Sequence, residues 1–309
     1  MGEEGMELVE TVQELNNALR NHRHGVIGFV PTMGYLHEGH LSLVRKAKKE
    51  CDFVVMSIFV NPLQFGPNED LARYPRDLER DFDLARKAGV QVLYHPSVKE
   101  MYPTEPLVTT KVSESISNVL CGKYRESHFD GVTTICAKLF HQIKPDRVYF
   151  GQKDAQQLAI ISQMVEDLSF QLTVVSCETV REEDGLALSS RNVYLSEEER
   201  EQAVILSQAL QDVRIGLESR KWNNASEINN YVRDKITTMP LAEIQYIEIL
   251  TYPNLEVTTS LYNKRILIAL AVFFGKTRLI DNILFPAEGD SHVSNDDEIK
   301  ITSSNRNRS

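Results

Sequence analysis

His37 and His40 stand three residues apart in the run Pro31-Thr-Met33-Gly34-Tyr-Leu-His37-Glu-Gly39-His40, between a short apolar segment and an amphipathic one. An imidazole can donate to phosphate oxygens, and its charge responds to them. A helix N-terminus adds free N–H groups and partial positive charge, so this junction suits an anion. Gly39 would let a ligand approach the backbone closely. Taken alone, the run also reads as a helix cap with two surface histidines. Three further runs carry a similar double reading. Asn61-Pro62-Leu63-Gln64 supplies amides suited to hydroxyl or carboxylate recognition, or is an ordinary Asn-Pro turn. Gly151-Gln152-Lys153-Asp154-Ala155-Gln156-Gln157 puts an ammonium at a strand-to-helix junction, with Asp154 placed to cap the helix and Gln157 one turn beyond Lys153. Gly185-Leu-Ala-Leu188-Ser189-Ser190-Arg191 offers hydroxyls and a permanent cation suited to bidentate phosphate contact, or is a polar linker.

The elements around these runs decide between the readings. Val26–Val30, Phe53–Val60, Val90–Tyr94, Arg147–Phe150 and Leu172–Cys177 are apolar runs of strand length. Helical spacing fills the gaps at Leu41–Lys49, within the charged stretch Asp70–Ala88, at Val132–Gln142 and at Ala155–Leu168. Continuous apolar strands alternating with helices predict an α/β fold with a doubly wound parallel sheet. Ligands of such sheets bind beyond the carboxyl ends of the strands. The loops after Val30, Val60, Phe150 and Cys177 converge there, and that convergence favours chemistry over four unrelated surface features. From Arg181 the texture changes. Ser196-Glu-Glu-Glu199 is a capping box for a helix to about Glu218, and Ala225–Thr237 is a second helix. Ile244–Leu250, Ile266–Phe274 and Leu279–Leu284 then read as strands of a smaller α+β domain. The expected division is 1–182, 183–286 acting as a lid, and a disordered, apolar-poor tail at 287–309.

Composition narrows the partners. Against 34 basic residues stand 44 acidic ones, a formal charge of −10, which argues against coating nucleic acid or an anionic membrane. No run approaches the roughly 18 apolar residues of a membrane span. The acidic start fits neither a secretory nor a transit segment. Cys51, Cys121, Cys136 and Cys177 match no zinc spacing and are expected to be reduced, hence a cytosolic location. Neither GxxxxGK[ST] nor GxGxxG is present, so a nucleotide would be held by another device.

The stretches PTMGYLHEGHLSLV, SIFVNPLQF, FGQKDAQQLAII and DGLALSSRNVYLS, in this order, resemble the pantothenate synthetase (pantoate–β-alanine ligase) family over Val26 to Leu284. His37-Glu-Gly39-His40 looks like the HIGH element of the wider nucleotidyltransferase superfamily. Leu188-Ser189-Ser190-Arg191 stands where KMSKS would be, without its lysines. The resemblance implies a Rossmann-like fold and ATP-dependent joining of (R)-pantoate to β-alanine through pantoyl adenylate, with magnesium and a homodimer formed through the N-terminal domain. Carried over by motif, Met33, Gly34, His37, Gly39 and His40 line the ATP site, together with Gly151, Lys153, Asp154, Val180, Leu188, Ser189, Ser190 and Arg191. His40, His37, Lys153, Ser189 and Arg191 are the catalytic candidates. Gln64 and Gln157 would hold pantoate, with Gln64 also near β-alanine and Asn61 and Tyr74 assisting. No protein ligand to magnesium is assigned. Tyr124-Arg125-Glu-Ser127-His128-Phe-Asp130-Gly131 departs from the family's RPGHFRG stretch, and no contact is carried over from it. Two rivals remain at this stage: another nucleotidyltransferase, and a nucleotide-binding protein without catalysis.

Overall fold

The structure, a computed structural model, describes residues 5–67 and 69–287. The expected tail falls outside the described residues from position 288 on. The chain opens with β1 (Glu7–Val9) and α1 (Val12–Leu19), followed by β2 (Ile27–Thr32), α2 (Glu38–Glu50), β3 (Phe53–Ile58), α3 (Leu78–Ala88) and β4 (Val92–Tyr94). Two four-residue helices, α4 (Val98–Met101) and α5 (Glu114–Ser117), lead to α6 (His128–Ile143), β5 (Arg147–Gly151), α7 (Ala155–Asp167) and β6 (Thr173–Cys177). The six strands pair in parallel in the order β1-β4-β3-β2-β5-β6. The chain winds outward from β2 through β3 to β4, then returns to add β5 on the other side. The switch point is therefore the β2–β5 pair, and its carboxyl ends are Thr32 and Gly151.

The rest is built from α8 (Glu197–Ala203), α9 (Ile205–Glu218), α10 (Ala225–Ile236) and the strands β7 (Ala242–Thr251), β8 (Ile266–Phe274) and β9 (Thr277–Phe285). These strands form a separate antiparallel sheet in sequence order. The expected fold class, a doubly wound parallel sheet followed by a smaller α+β unit, is the one observed.

Both faces of the parallel sheet are covered, α2 and α3 on one and α1, α6 and α7 on the other. The small sheet is also buried on both faces. Ile266, Ile268, Leu270, Val272 and Phe274 of β8 pack under α9 and α10. The alternating Leu267, Ala269 and Ala271 join the core of the parallel sheet. Period-two geometry divides one strand between two cores.

Four details differ from the sequence reading. β1 and α1 precede the elements it names, although Thr11 and Glu14 form a full capping box there. The charged stretch from Asp70 is helical only from Leu78, because Pro75 interrupts it and Asp77 caps the helix by accepting from Arg80 N at 3.1 Å. α6 starts at His128, four residues before the expected Val132. The helix predicted to run on to Glu218 is interrupted at Val204, although its Ser196–Glu199 capping box forms as read.

Candidate active site

A cavity of about 250 Å³ opens at the switch point. It gathers the loops after β2, β3, β5 and β6. Every site residue named from the sequence lines it except Gly34. Gly34 lies behind the wall at φ 85°, where a Cβ would meet Ile58 at 2.9 Å and Asp81 at 3.0 Å. The left-handed turn there is what requires glycine. Asp81 on α3 braces that turn by accepting from the N–H groups of Tyr35 (2.6 Å) and Leu36 (2.7 Å).

The two histidines form the N-cap of α2. His37 Nδ1 accepts from Gly39 N at 3.2 Å, and His40 Nδ1 accepts from His37 N at 3.3 Å. The rings lie 4.0 Å apart between centroids. A backbone N–H must donate, so both Nδ1 atoms are unprotonated and each neutral ring carries its proton on Nε2. Burial, then the charges of Lys153 and Arg80, pull the His37 pKa down to about 4, against a counter-pull from Asp154. Burial, His37 and Lys153 drive His40 in the same direction. Gly39 lines the cavity and also serves this arrangement, since a Cβ there would come within 2.9 Å of the His37 ring.

Lys153 sits in a one-turn 3-10 segment between β5 and α7, and no described residue pairs with its ammonium. Asp154 does not act as the expected side-chain cap. Its carboxylate makes no bond to the helix end and is exposed. Gly151 has open space where a Cβ would stand. Ser189 caps a short turn by accepting from Arg191 N at 3.3 Å. Arg191 is not a free cation. Both of its bonds to Asp70 are 3.1 Å long. Burial lowers the tendency of Arg191 to stay charged, and Asp70 more than restores it. Tyr74 is buried in the same wall, and burial raises its hydroxyl pKa.

On the opposite side, Gln64 Nε2 lies 3.1 Å from Met33 Sδ, and Gln64 Oε1 accepts from Asn61 Nδ2 at 3.2 Å. Gln157 lines the same cavity. The segment set aside as divergent supports this wall. His128 Nδ1–H donates to Gln64 O at 2.7 Å, which leaves Nε2 to accept from Arg125 at 2.9 Å. Arg125 also forks onto Glu69 at 2.7 and 2.6 Å. Asn61 Nδ2 donates to Gly131 O at 3.0 Å, and a Cβ on Gly131 would overlap the Leu63 carbonyl. Ser127 has φ 58°, a left-handed value, where the RPGHFRG pattern has glycine. Arg125 and His128 both line the cavity and were missed from the sequence. The available signal was Arg-x-x-His leading into Gly131.

Similarity to known proteins agrees with this geometry. Residues 7–284 match the model of the family described as pantoate-beta-alanine ligase. Pantothenate synthetase of Acetivibrio thermocellus is 54% identical over 281 residues, covering 90% of this chain and 99% of that protein. The crystal structure of pantothenate synthetase from Thermus thermophilus superposes with a TM-score of 0.84 at 46% identity, covering 90% of this chain and 99% of the other. That of pantoate-beta-alanine ligase from Francisella tularensis, complexed with beta-gamma ATP and beta-alanine, superposes with a TM-score of 0.74 at 37% identity and covers 90% and 97% of the two chains.

Proposed function

Since the chain belongs to the pantoate–β-alanine ligase family, we propose how its own residues carry out that family's reaction. The enzyme joins (R)-pantoate to β-alanine with ATP as co-substrate and yields pantothenate, AMP and diphosphate. A carboxylate is a poor acyl donor because oxide is a poor leaving group. A pantoate carboxylate oxygen therefore attacks the α-phosphorus, and the bond to the diphosphate oxygen breaks. The amine of β-alanine then attacks the acyl carbon, and AMP leaves. Negative charge grows on the phosphates in the first step, so preorganised donors there lower the barrier.

The observation that carries this reading is the pair of pinned imidazoles sharing one cavity with the unpaired Lys153. With Nδ1 held by the backbone, each histidine offers Nε2–H as a donor and has no free nitrogen to take up a proton. We therefore assign His37 and His40 to electrostatic stabilisation rather than acid–base exchange. Lys153 supplies the full positive charge, with Ser189, Ser190 and Arg191 on the same nucleotide wall as Met33, Gly39, Gly151 and Val180. Gln64 and Gln157 take the hydroxyl and carboxylate of pantoate, with Asn61 and Tyr74 behind them. Positioning does much of the work, because the chemistry needs no protein nucleophile.

Magnesium fits this donor set through a solvent-open carboxylate at the cavity. Among the described residues no cluster of three His, Cys, Asp or Glu side chains is found, but Asp154 presents a solvent-open carboxylate at the cavity. Mg²⁺ characteristically keeps several waters and takes one or two carboxylates with substrate phosphates. Asp154 would hold the ion, which when bound would neutralise phosphate charge.

We also propose a homodimer formed through the N-terminal domain. Its support is Leu107 and Val108, 97% and 88% exposed on a non-strand segment leading into Thr109–Val112. Adjacent, almost fully exposed apolar residues suit contact with a symmetry-related copy. Leu107→Asp with Val108→Asp should convert the dimer to monomer in sedimentation velocity, and an unchanged species would place the contact elsewhere. A cytosolic location is supported by four free cysteines and by the absence, among the described residues, of any helix long and apolar enough to cross a membrane.

The reaction order has a direct test. Labelled diphosphate should enter ATP in the presence of pantoate with β-alanine omitted. ADP and phosphate as products would indicate an acyl-phosphate route, and exchange that needs β-alanine would count against a separate adenylate step.

A further inference from the structure

The turn that carries Lys153 is not held by its own sheet alone. Asn282 lies on β9 of the C-terminal sheet and is buried. Its side-chain amide forks onto two consecutive carbonyls of that turn, Gln152 O at 3.0 Å and Lys153 O at 2.8 Å. The preceding residue, Asp281, is 2% exposed and accepts two bonds from Arg181, at 2.6 and 2.9 Å. Arg181 donates as well to Gly185 O at 3.1 Å and pairs across a bridge with Ala187, so it folds the loop that delivers Ser189–Arg191. Asp281 Oδ1 also accepts from Asn282 N at 2.8 Å. Two neighbouring residues of one strand thus grip the two loops that bear the cavity's cationic wall.

We propose that Asn282 is a positioning residue for the adenylation step, setting the Lys153 turn through its two carbonyls, with Asp281 setting the Ser189–Arg191 loop in register with it. The inference rests on the role given to Lys153 above. Buried carbonyls seldom go without donors, so a two-pronged amide on consecutive carbonyls fixes a turn that no regular ladder holds. The C-terminal unit then acts as the mount of Lys153 and carries the ammonium with it whenever it shifts.

Single-turnover adenylation tests this with Asn282→Ala and Asn282→Asp, each alone and combined with Lys153→Ala. Misplacing a reacting group by about 1 Å costs on the order of 100-fold, and Asn282→Ala should approach that loss in rate with little change in the KM for ATP. Asn282→Asp should be slower still, because a carboxylate of the same shape faces two carbonyl oxygens. In the Lys153→Ala background, Asn282→Ala should cost almost nothing further. If aspartate outperforms alanine, Asn282 only fills space and the proposal fails. Equal losses in both backgrounds also overturn it, since Asn282 would then act independently of Lys153. Should Asn282→Asp fail to fold, the alanine pair alone decides through that comparison. Lys153→Ala by itself reports separately on the role of the lysine: a rate near wild type removes that role, whatever Asn282 does.

Discussion

Lys153→Ala and His40→Ala each lower the first-order rate of adenylate formation by about 10²–10³-fold, a loss of about 2.7–4 kcal/mol of transition-state stabilisation. Both side chains line the cavity at the carboxyl ends of neighbouring strands, outside the three apolar cores. Lys153 has no ion-pair partner among the described residues, so its ammonium is open to a bound phosphate. The two variants should differ in stability. His40 accepts from His37 N, and loss of a cap typically costs about 1 kcal/mol. Lys153 makes no such bond, so its alanine variant should melt at the wild-type temperature. Rapid-quench single turnovers with enzyme in excess separate this step from product release. A rate within a few-fold of wild type would remove that residue from phosphate stabilisation.

Stability to denaturant should fall steeply as pH drops from about 6.5 towards 4. His37 and His128 both have pKa values of about 4 in the folded chain. Burial is the first cause for each, reinforced by Lys153 for His37 and by Arg125 for His128. His40 is depressed in the same direction. An exposed histidine titrates near 6.5, so between these values the unfolded chain binds more protons than the folded one. The stability these histidines contribute is therefore complete above pH 6.5 and is lost as pH falls through the window. From the size of the shifts, His37 and His128 each account for on the order of 3 kcal/mol, a large share of a typical total. His128→Gln should flatten the profile by removing one titration. ATP should move the acid transition to lower pH, because it binds the folded chain and not the unfolded one. Urea midpoints that stay level from pH 6.5 to 4.5 would show that the rings are not held neutral.

Much of this was legible in the chain. Phe53–Ile58 is buried at every position, and such an uninterrupted apolar run reads directly as a strand covered on both faces. Once parallel strands were placed, the polar runs at their ends had to share one edge, and all the named side chains but Gly34 do so. What escaped depends on partners far apart in the chain. Asp70 neutralises Arg191 from 121 positions away, and spacing gives no hint of it. His128 acts through a carbonyl of Gln64, a bond indifferent to side-chain identity. Asp154 looked like a cap because of its type and place, yet its dihedrals of φ −96° and ψ 57° lie outside the extended region where an N-cap usually sits. β1 spans only three residues, too few to show a period.

The two-faced burial of β8 bears on how this protein can change over generations. Even-numbered positions from Ile266 to Phe274 answer to α9 and α10, while Leu267, Ala269 and Ala271 answer to the parallel sheet. A mutation on one set is corrected by neighbours in the same half of the chain, whereas a mutation on the other also meets residues more than a hundred positions away, such as Phe129 and Ala155. Recombination with a crossover near residue 183 would keep the first set of matches and break the second. The two halves are therefore expected to be inherited together, and a chimera joined at that point inherits a small sheet shaped for a surface it no longer meets.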